Sequence, residues 1–175
     1  LILNNLYKQF YFLKNMNYKD KIKSDEELME IIESLKKQGK KTVHCHGCFS
    51  IIHPGHIRYL EFAKNQGDIL IVSLSGDKFI GNRTSFANSQ LRAECMASIV
   101  FVDYVVIDEN PDACNLIIKL KPNVYIKGKE YAFEKKEHPG FLKEKNCVES
   151  YGGEVIYSPG DVVFSSTKII NEFFD

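Results

Sequence analysis

The sequence lacks what a binder of large polyanions would need. Its 23 Lys and Arg are cancelled by 23 Asp and Glu, so no net field gathers nucleic acid or an anionic membrane surface. Arginine is scarce, with only Arg58, Arg83 and Arg92. No apolar run reaches the roughly 20 residues that cross a bilayer. Leu1 to Leu13 is apolar and aromatic, but Asn4, Asn5, Lys8 and Gln9 interrupt it. That segment has neither the charged start nor the small-residue cleavage site of a signal peptide. Internal repeats, low-complexity tracts and Pro/Gly/Ser linkers are missing too. Cys45, Cys48, Cys95, Cys114 and Cys147 are an odd number of cysteines, better suited to reduced thiols in a cytoplasmic protein than to a disulfide framework. The chain begins at Leu1 rather than Met, as an excised piece of a longer protein would.

What is present is unevenly placed. Four of the five His fall between His44 and His56, and all three Arg fall between Arg58 and Arg92. A neutral chain therefore concentrates its anion-handling groups in one stretch. Its 175 residues suit one domain with a real core, expected over 22–175, with 1–21 as an N-terminal extension or linker.

The pattern along the chain predicts an α/β fold. Ser24 and Glu27 form a capping box, and Leu28, Ile31, Ile32 and Leu35 follow on one helical face up to Gly39. Short runs rich in Val, Ile and Tyr at Thr42–Cys45, Ile69–Leu74, Tyr104–Ile107, Val124–Ile126 and Glu154–Tyr157 read as strands. Helices are expected between them, at about Gly55–Gln66, Ser89–Phe101, Pro111–Leu120 and Gly140–Tyr151, with a last one near Ser166–Phe174. Crossovers of that length give right-handed βαβ units, hence a doubly wound, Rossmann-like, five-stranded parallel sheet with an N-terminal helix. Such sheets bind ligands beyond the C-terminal strand ends, at the switch point.

The first strand runs into His46-Gly47-Cys48-Phe49-Ser50-Ile51-Ile52-His53-Pro54-Gly55-His56. Pro54 and Gly55 suit a helix entry, which places His53 and His56 at a helix N-terminus, where the dipole favours anions. Two imidazoles three residues apart there can hydrogen-bond one phosphate. Cys45 and Cys48 with His44 and His46 also have zinc-like ingredients, but no second pair at a usual spacing completes a metal site. A redox Cys-x-x-Cys would need a helix to start at its second Cys, so core or loop thiols are the better reading. No Ser–His–acid or Cys–His nucleophile arrangement is evident.

The His53-Pro54-Gly55-His56 segment after Gly47-Cys48-Phe49 resembles the HxGH signature of the cytidylyltransferase-like nucleotidyltransferase superfamily. Gln90-Leu91-Arg92-Ala93-Glu94 resembles its internal Arg-containing helix, Val124 to Tyr131 its lysine–glycine segment, and Phe164-Ser165-Ser166-Thr167-Lys168-Ile169 its C-terminal Ser/Thr motif. Within the superfamily the chain is most similar, over about 22–174, to the adenylyltransferase domains of bacterial ADP-heptose synthases, and more distantly to glycerol-3-phosphate cytidylyltransferases. The resemblance implies a cytoplasmic enzyme that uses Mg2+ with an NTP. A phosphorylated sugar or polyol attacks the α-phosphorus in line, releasing pyrophosphate without a covalent enzyme intermediate. It implies His53, His56 and Arg92 as catalytic groups. It further implies Gly47, Cys48, Phe49, Arg83, Lys127, Gly128, Ser165, Ser166 and Thr167 as nucleotide-binding positions, with no protein metal ligand. It also implies a homodimer, and a sugar kinase fused upstream or working alongside.

Two departures bear on that reading. The family usually has Asn-Gly-Cys-Phe-Asp where this chain has His46 and Ser50 at the two ends. Losing the carboxylate affects metal placement or acceptor recognition, and it motivates a second class of reading, a non-catalytic nucleotide-binding module. Pro159 to Val163 has no Arg before the Ser/Thr motif, which favours ATP over the CTP of the cytidylyltransferase branch. Asp77 matches a recurrent acidic position, Arg58 is expected to pair with an acid, and the Lys/Glu-rich 129–145 stretch is expected to be a solvated loop near the acceptor.

Overall fold

The computed structural model describes residues 17–80, 85, 87–133 and 139–160. Arg83, the Ser165–Ser166–Thr167 segment and the expected final helix lie outside them. Five strands, β1 (Thr42–Gly47), β2 (Ile69–Ser75), β3 (Tyr104–Asp108), β4 (Val124–Gly128) and β5 (Glu154–Ser158), form one sheet. Their order is β3-β2-β1-β4-β5 and every pairing is parallel. The winding reverses between β1 and β4, so the switch point lies at the C-terminal end of β1.

The helices are α1 (Asp25–Lys37), α2 (Pro54–Lys64), α3 (Ser89–Ala97), α4 (Cys114–Leu120), α5 (Glu130–Phe133) and α6 (Pro139–Glu149). The Ser24 side chain accepts from the Glu27 amide while the Glu27 carboxylate accepts from the Ser24 amide, so α1 starts at the expected capping box. Gly39, at φ 74°, supplies the left-handed residue after the helix. Asn88 caps α3 by accepting from the Leu91 amide. Helix α3 stops at Ala97, four residues before its expected end. The Ser98 hydroxyl donates back to the Cys95 carbonyl at 2.7 Å, and Val102 N closes a turn onto Ile99 O. Helix α4 starts later than Pro111, because the Asp112 carboxylate caps the Cys114 amide.

The two faces of the sheet differ. One face joins Val43, Cys45, Leu70, Val72, Leu74, Val105, Val124 and Ile126 to Leu60 and Ala63 of α2 and Ala93, Met96 and Ala97 of α3. This is the larger apolar core. The other face has two smaller clusters, Ile71 and Val106 under α1 and α4, and Tyr125 among Ala113, Ile117 and Val148. Between those clusters it buries polar groups instead: His44, Ser73, Ser75, Asp108 and Lys127. Residues 18–22 dock on the sheet edge. The Ile22 bridge to Val105, the Lys21 ammonium on the Ile99 carbonyl and the Tyr18 hydroxyl on Glu94 hold them there.

Candidate active site

Each strand runs one or two residues beyond its apolar stretch, and those polar ends build the site. At the end of β1 the chain turns through Gly47, Cys48 and Phe49. Phe49 has φ 47°, a left-handed conformation unusual for an aromatic residue. Its ring packs back over Gly47, where an added Cβ would lie 3.0 Å from Phe49 Cε2. A side chain there would push the ring aside by a few tenths of an ångström. Phe49 is buried and presents its ring to His56 in a T-shaped contact, with centroids 5.1 Å apart.

His53 is the N-cap residue of α2, with extended backbone, and Pro54 follows at the first helical position. His53 and His56 stack with centroids 3.8 Å apart and an interplanar angle of 26°. Burial lowers the pKa of His53. Burial, then the neighbouring His53, takes His56 down to about 4 against the opposing pull of the Ile51 backbone. Both rings are therefore neutral near pH 7 and sit beside the positive end of an eleven-residue helix. Two cations could not stack this closely in a half-buried site, but two neutral donors can.

Arg92 is brought to the same loop, and its fork is turned onto protein. With 2% of its surface exposed, it donates to the Cys48 carbonyl at 2.6 Å, the Ser75 carbonyl at 2.9 Å and the Asp77 carboxylate at 2.9 Å. It thus ties the β1 loop to the end of β2. Asp77 also accepts from the Ser89 hydroxyl. Hydrogen bonding from the Ser89 backbone, offset in part by burial, and then from Arg92 holds the Asp77 carboxyl below its usual range. The recurrent acidic position thus anchors the arginine.

Lys127 is the penultimate residue of β4, just before Gly128, and is 7% exposed. Its ammonium lies 2.6 Å from Glu144 and 5.2–5.9 Å from the ring centroids of Tyr125, Tyr131 and Phe141. Glu144 also accepts from the Tyr125 hydroxyl at 3.0 Å. The stretch expected to be a solvated loop is partly helical and folds back over this lysine. Phe141, which stands where a second His would complete a copy of the first motif, is buried against Tyr131 and Tyr157.

Cys45 points into the larger core, where burial pushes its thiol up to about 12, so it is not poised as a thiolate ligand or redox group. Cys48 lies on the loop. Arg58 is exposed, and no acid pairs with it among the described residues. Also among the described residues, no group of three His, Cys, Asp or Glu is placed to hold a metal ion, and Asp77 is committed to Arg92. The sequence reading missed the series of side chains linking His44 and His46 to Ser73 and Ser75. Its signal was polar residues two apart on neighbouring buried strands.

A switch point at the end of β1, a tight glycine–aromatic loop there and paired imidazoles at a helix start mark a nucleotide-handling α/β domain. The chain belongs to the cytidylyltransferase-like family, whose sequence model matches residues 44–172. It is 43% identical over 166 residues to the bifunctional protein HldE of Campylobacter jejuni, covering 93% of this chain and 33% of that protein. It is 39% identical over 139 residues to HldE of Geobacter metallireducens, covering 77% and 27%. The chain thus spans about a third of the length of these curated relatives. A lipopolysaccharide core biosynthesis protein from Thermoplasma volcanium superposes with a TM-score of 0.56 at 25% identity, covering 70% of this chain and 99% of that one. Pantoate-beta-alanine ligase from Francisella tularensis shares the fold, with a TM-score of 0.57 at 18% identity over 80% of this chain and 67% of that one. Among the described residues no helix is long and apolar enough to cross a membrane.

Proposed function

We propose that this domain, over 22–175, transfers a nucleoside monophosphate, AMP in preference to CMP, from an NTP to a sugar or polyol phosphate with release of pyrophosphate. The observation that carries the reading is the neutral stacked pair His53–His56 at the start of α2, held under the Gly47–Phe49 loop. Kinship with HldE over nearly the whole chain supports the sugar-phosphate acceptor and the choice of AMP.

Direct attack of one phosphate on another asks the protein for position and charge stabilisation rather than for a nucleophile. His53 and His56 donate N–H to the α-phosphorus oxygens as negative charge builds on them, aided by the α2 dipole. Phe49 and Gly47 let the nucleotide lie close against backbone. Arg92 acts as a positioning residue here, fixing the loop through the Cys48 and Ser75 carbonyls. Lys127, paired with Glu144, borders the acceptor side. Arg83 and the Ser165–Ser166–Thr167 segment are proposed as further phosphate donors. Magnesium comes as the chelate of the NTP and is bound chiefly by the phosphates. A cytoplasmic homodimer, paired with or fused to a sugar kinase, is the proposed setting.

The test is a pyrophosphate-release screen of ATP and CTP against a panel of hexose, heptose and glycerol phosphates with magnesium. Pyrophosphate that depends on one sugar phosphate and prefers ATP is the expected result. Tight ATP binding with no pyrophosphate across the panel would make the domain a binding module.

A further inference from the structure

The reaction described above uses none of the buried polar groups that β1 and β2 share on the α1/α4 side of the sheet. They form one series. His44 Nε2 lies 2.8 Å from Ser73 Oγ, and the same oxygen lies 2.8 Å from His46 Nδ1. His46 Nε2 lies 3.3 Å from Ser75 Oγ, which also accepts from the Cys48 thiol at 3.8 Å. His44 and Ser73 are fully buried. In the parallel register His46 sits beside Ser73, which lets a single hydroxyl reach two imidazoles.

Proton counting gives this series a direction. Burial dominates and keeps both rings neutral: with the neighbouring His46 ring and Lys127 adding to it, His44 is held well below the usual histidine range, and with Lys127 added and Asp112 opposing, His46 goes to about 3. Each ring therefore carries one N–H, and Ser73 has one proton to share between two ring nitrogens. In one order, His44 Nε2–H donates to Ser73, Ser73 donates to His46 Nδ1, and His46 Nε2–H donates to Ser75. The atom left over is His44 Nδ1, buried and without a partner, and in this order it is only a lone pair. The opposite order leaves a buried N–H there with no acceptor. An orphaned buried donor is the rarer and costlier defect, so the first order prevails. The Ser75 oxygen then receives from His46 and Cys48, and its own proton finds no acceptor among the described residues.

We infer that Ser73 is a positioning residue that sets the proton order of the His44–His46 series, and that Ser75 is the donor through which the series reaches an oxygen of the bound substrate at the end of β2. The Ser75 half rests on the transfer reaction proposed above; the Ser73 half does not. Ser75 lies beside the carbonyl-tied loop, since Arg92 binds its backbone oxygen. The acceptor chemistry is an oxygen of either the NTP or the sugar phosphate.

Side-chain 15N spectra of the histidines in the free protein test the first half without substrate. The expected result is the Nε2–H tautomer at both His44 and His46. A Nδ1–H tautomer at His46 would overturn the assignment. Ser73→Ala should mix the His46 tautomers and Ser73→Thr should restore the single one; in the proposed transfer reaction, which the Ser75 half assumes, Ser73→Ala should also raise KM about tenfold with kcat changed less than twofold. A Ser73→Ala protein with an unchanged His46 tautomer would also overturn it; if that variant does not fold, the wild-type spectra decide. For the second half, binding of ATP and of a sugar phosphate is measured separately in Ser75→Ala. A five- to tenfold loss in one arm identifies the oxygen that Ser75 meets. No loss in either arm refutes its role, and the pyrophosphate screen reports independently on the reaction.

Discussion

The two ends of the sheet invert what charge counting predicts. At the N-terminal end of the strands, Lys36, Lys40, Lys41 and Lys121 line a cavity of about 480 Å³ together with Tyr151, Gly152 and Gly153. At the C-terminal end, the start of α2 holds two neutral imidazoles, and an arginine from α3 is turned inward onto the β1 loop. Helix direction explains the difference. Three helices finish around the lysine cavity, and Gly39, Lys121 and Gly152, which follow α1, α4 and α6, all have left-handed backbone. Lys36 donates to the Leu120 and Lys121 carbonyls at 2.6 Å each. Lys36 there answers the negative end of a helix and caps its orphaned carbonyls. Helix α2 begins at the opposite end, so its dipole favours an anion without any fixed side-chain charge. An anion site in this fold is set by which way the helices run, and counting cations finds the other end.

The largest expected effect that separates the two ends is acid instability. His46 and His56, with folded-state values of about 3 and about 4, stay neutral where the unfolded chain protonates its histidines, below pH 6.5. The unfolded state binds the extra protons, so stability is fully present above pH 6.5 and falls as the pH drops toward 4. The loss should reach several kcal/mol. Denaturant melts at pH 7.5, 5.5 and 4.5 measure it. A pH-independent stability across that range would contradict the buried neutral imidazoles at the C-terminal end.

Next comes chemistry. His56→Ala should lower turnover about 100-fold or more, the scale for losing one transition-state donor, with little change in melting temperature. Arg92→Lys keeps the charge but loses the fork that spans two carbonyls and a carboxylate. It should cost about tenfold in kcat/KM, roughly 1.4 kcal/mol of transition-state stabilisation. The smallest effect belongs to the other end. Lys36→Ala should cost less than about 1 kcal/mol of stability and leave turnover within twofold. A large fall in turnover there would mean that the lysine cavity takes part in the reaction.

Much of this fold was legible because its signals are local. The Ser24–Glu27 capping box and the Val/Ile-rich runs need no tertiary information, and both appear where expected. Strand ends were read one or two residues short because His46, Ser75, Asp108, Lys127 and Ser158 are polar, and polarity there marks the functional edge rather than the end of the sheet. The HxGH pair was legible for the same local reason, being three residues apart at a Pro-Gly helix start. The partners of Arg92 and Lys127 were not legible. An arginine that could grip phosphate and one that grips the Cys48 and Ser75 carbonyls look identical in sequence. Lys127 and Glu144 are brought together only when α6 folds back over the sheet. The Ser73 series likewise depends on the register between β1 and β2, which single-strand patterns do not encode.

Titrating magnesium-ATP into 15N-labelled protein decides whether the triphosphate binds at the start of α2 or in the lysine cavity. With binding at α2, His53, His56 and the Gly47–Phe49 amides shift with a single dissociation constant, while Gly39–Lys41, Lys121, Asn123 and Gly152–Gly153 stay in place. Shifts confined to the lysine cavity, with the histidines unmoved, would contradict it.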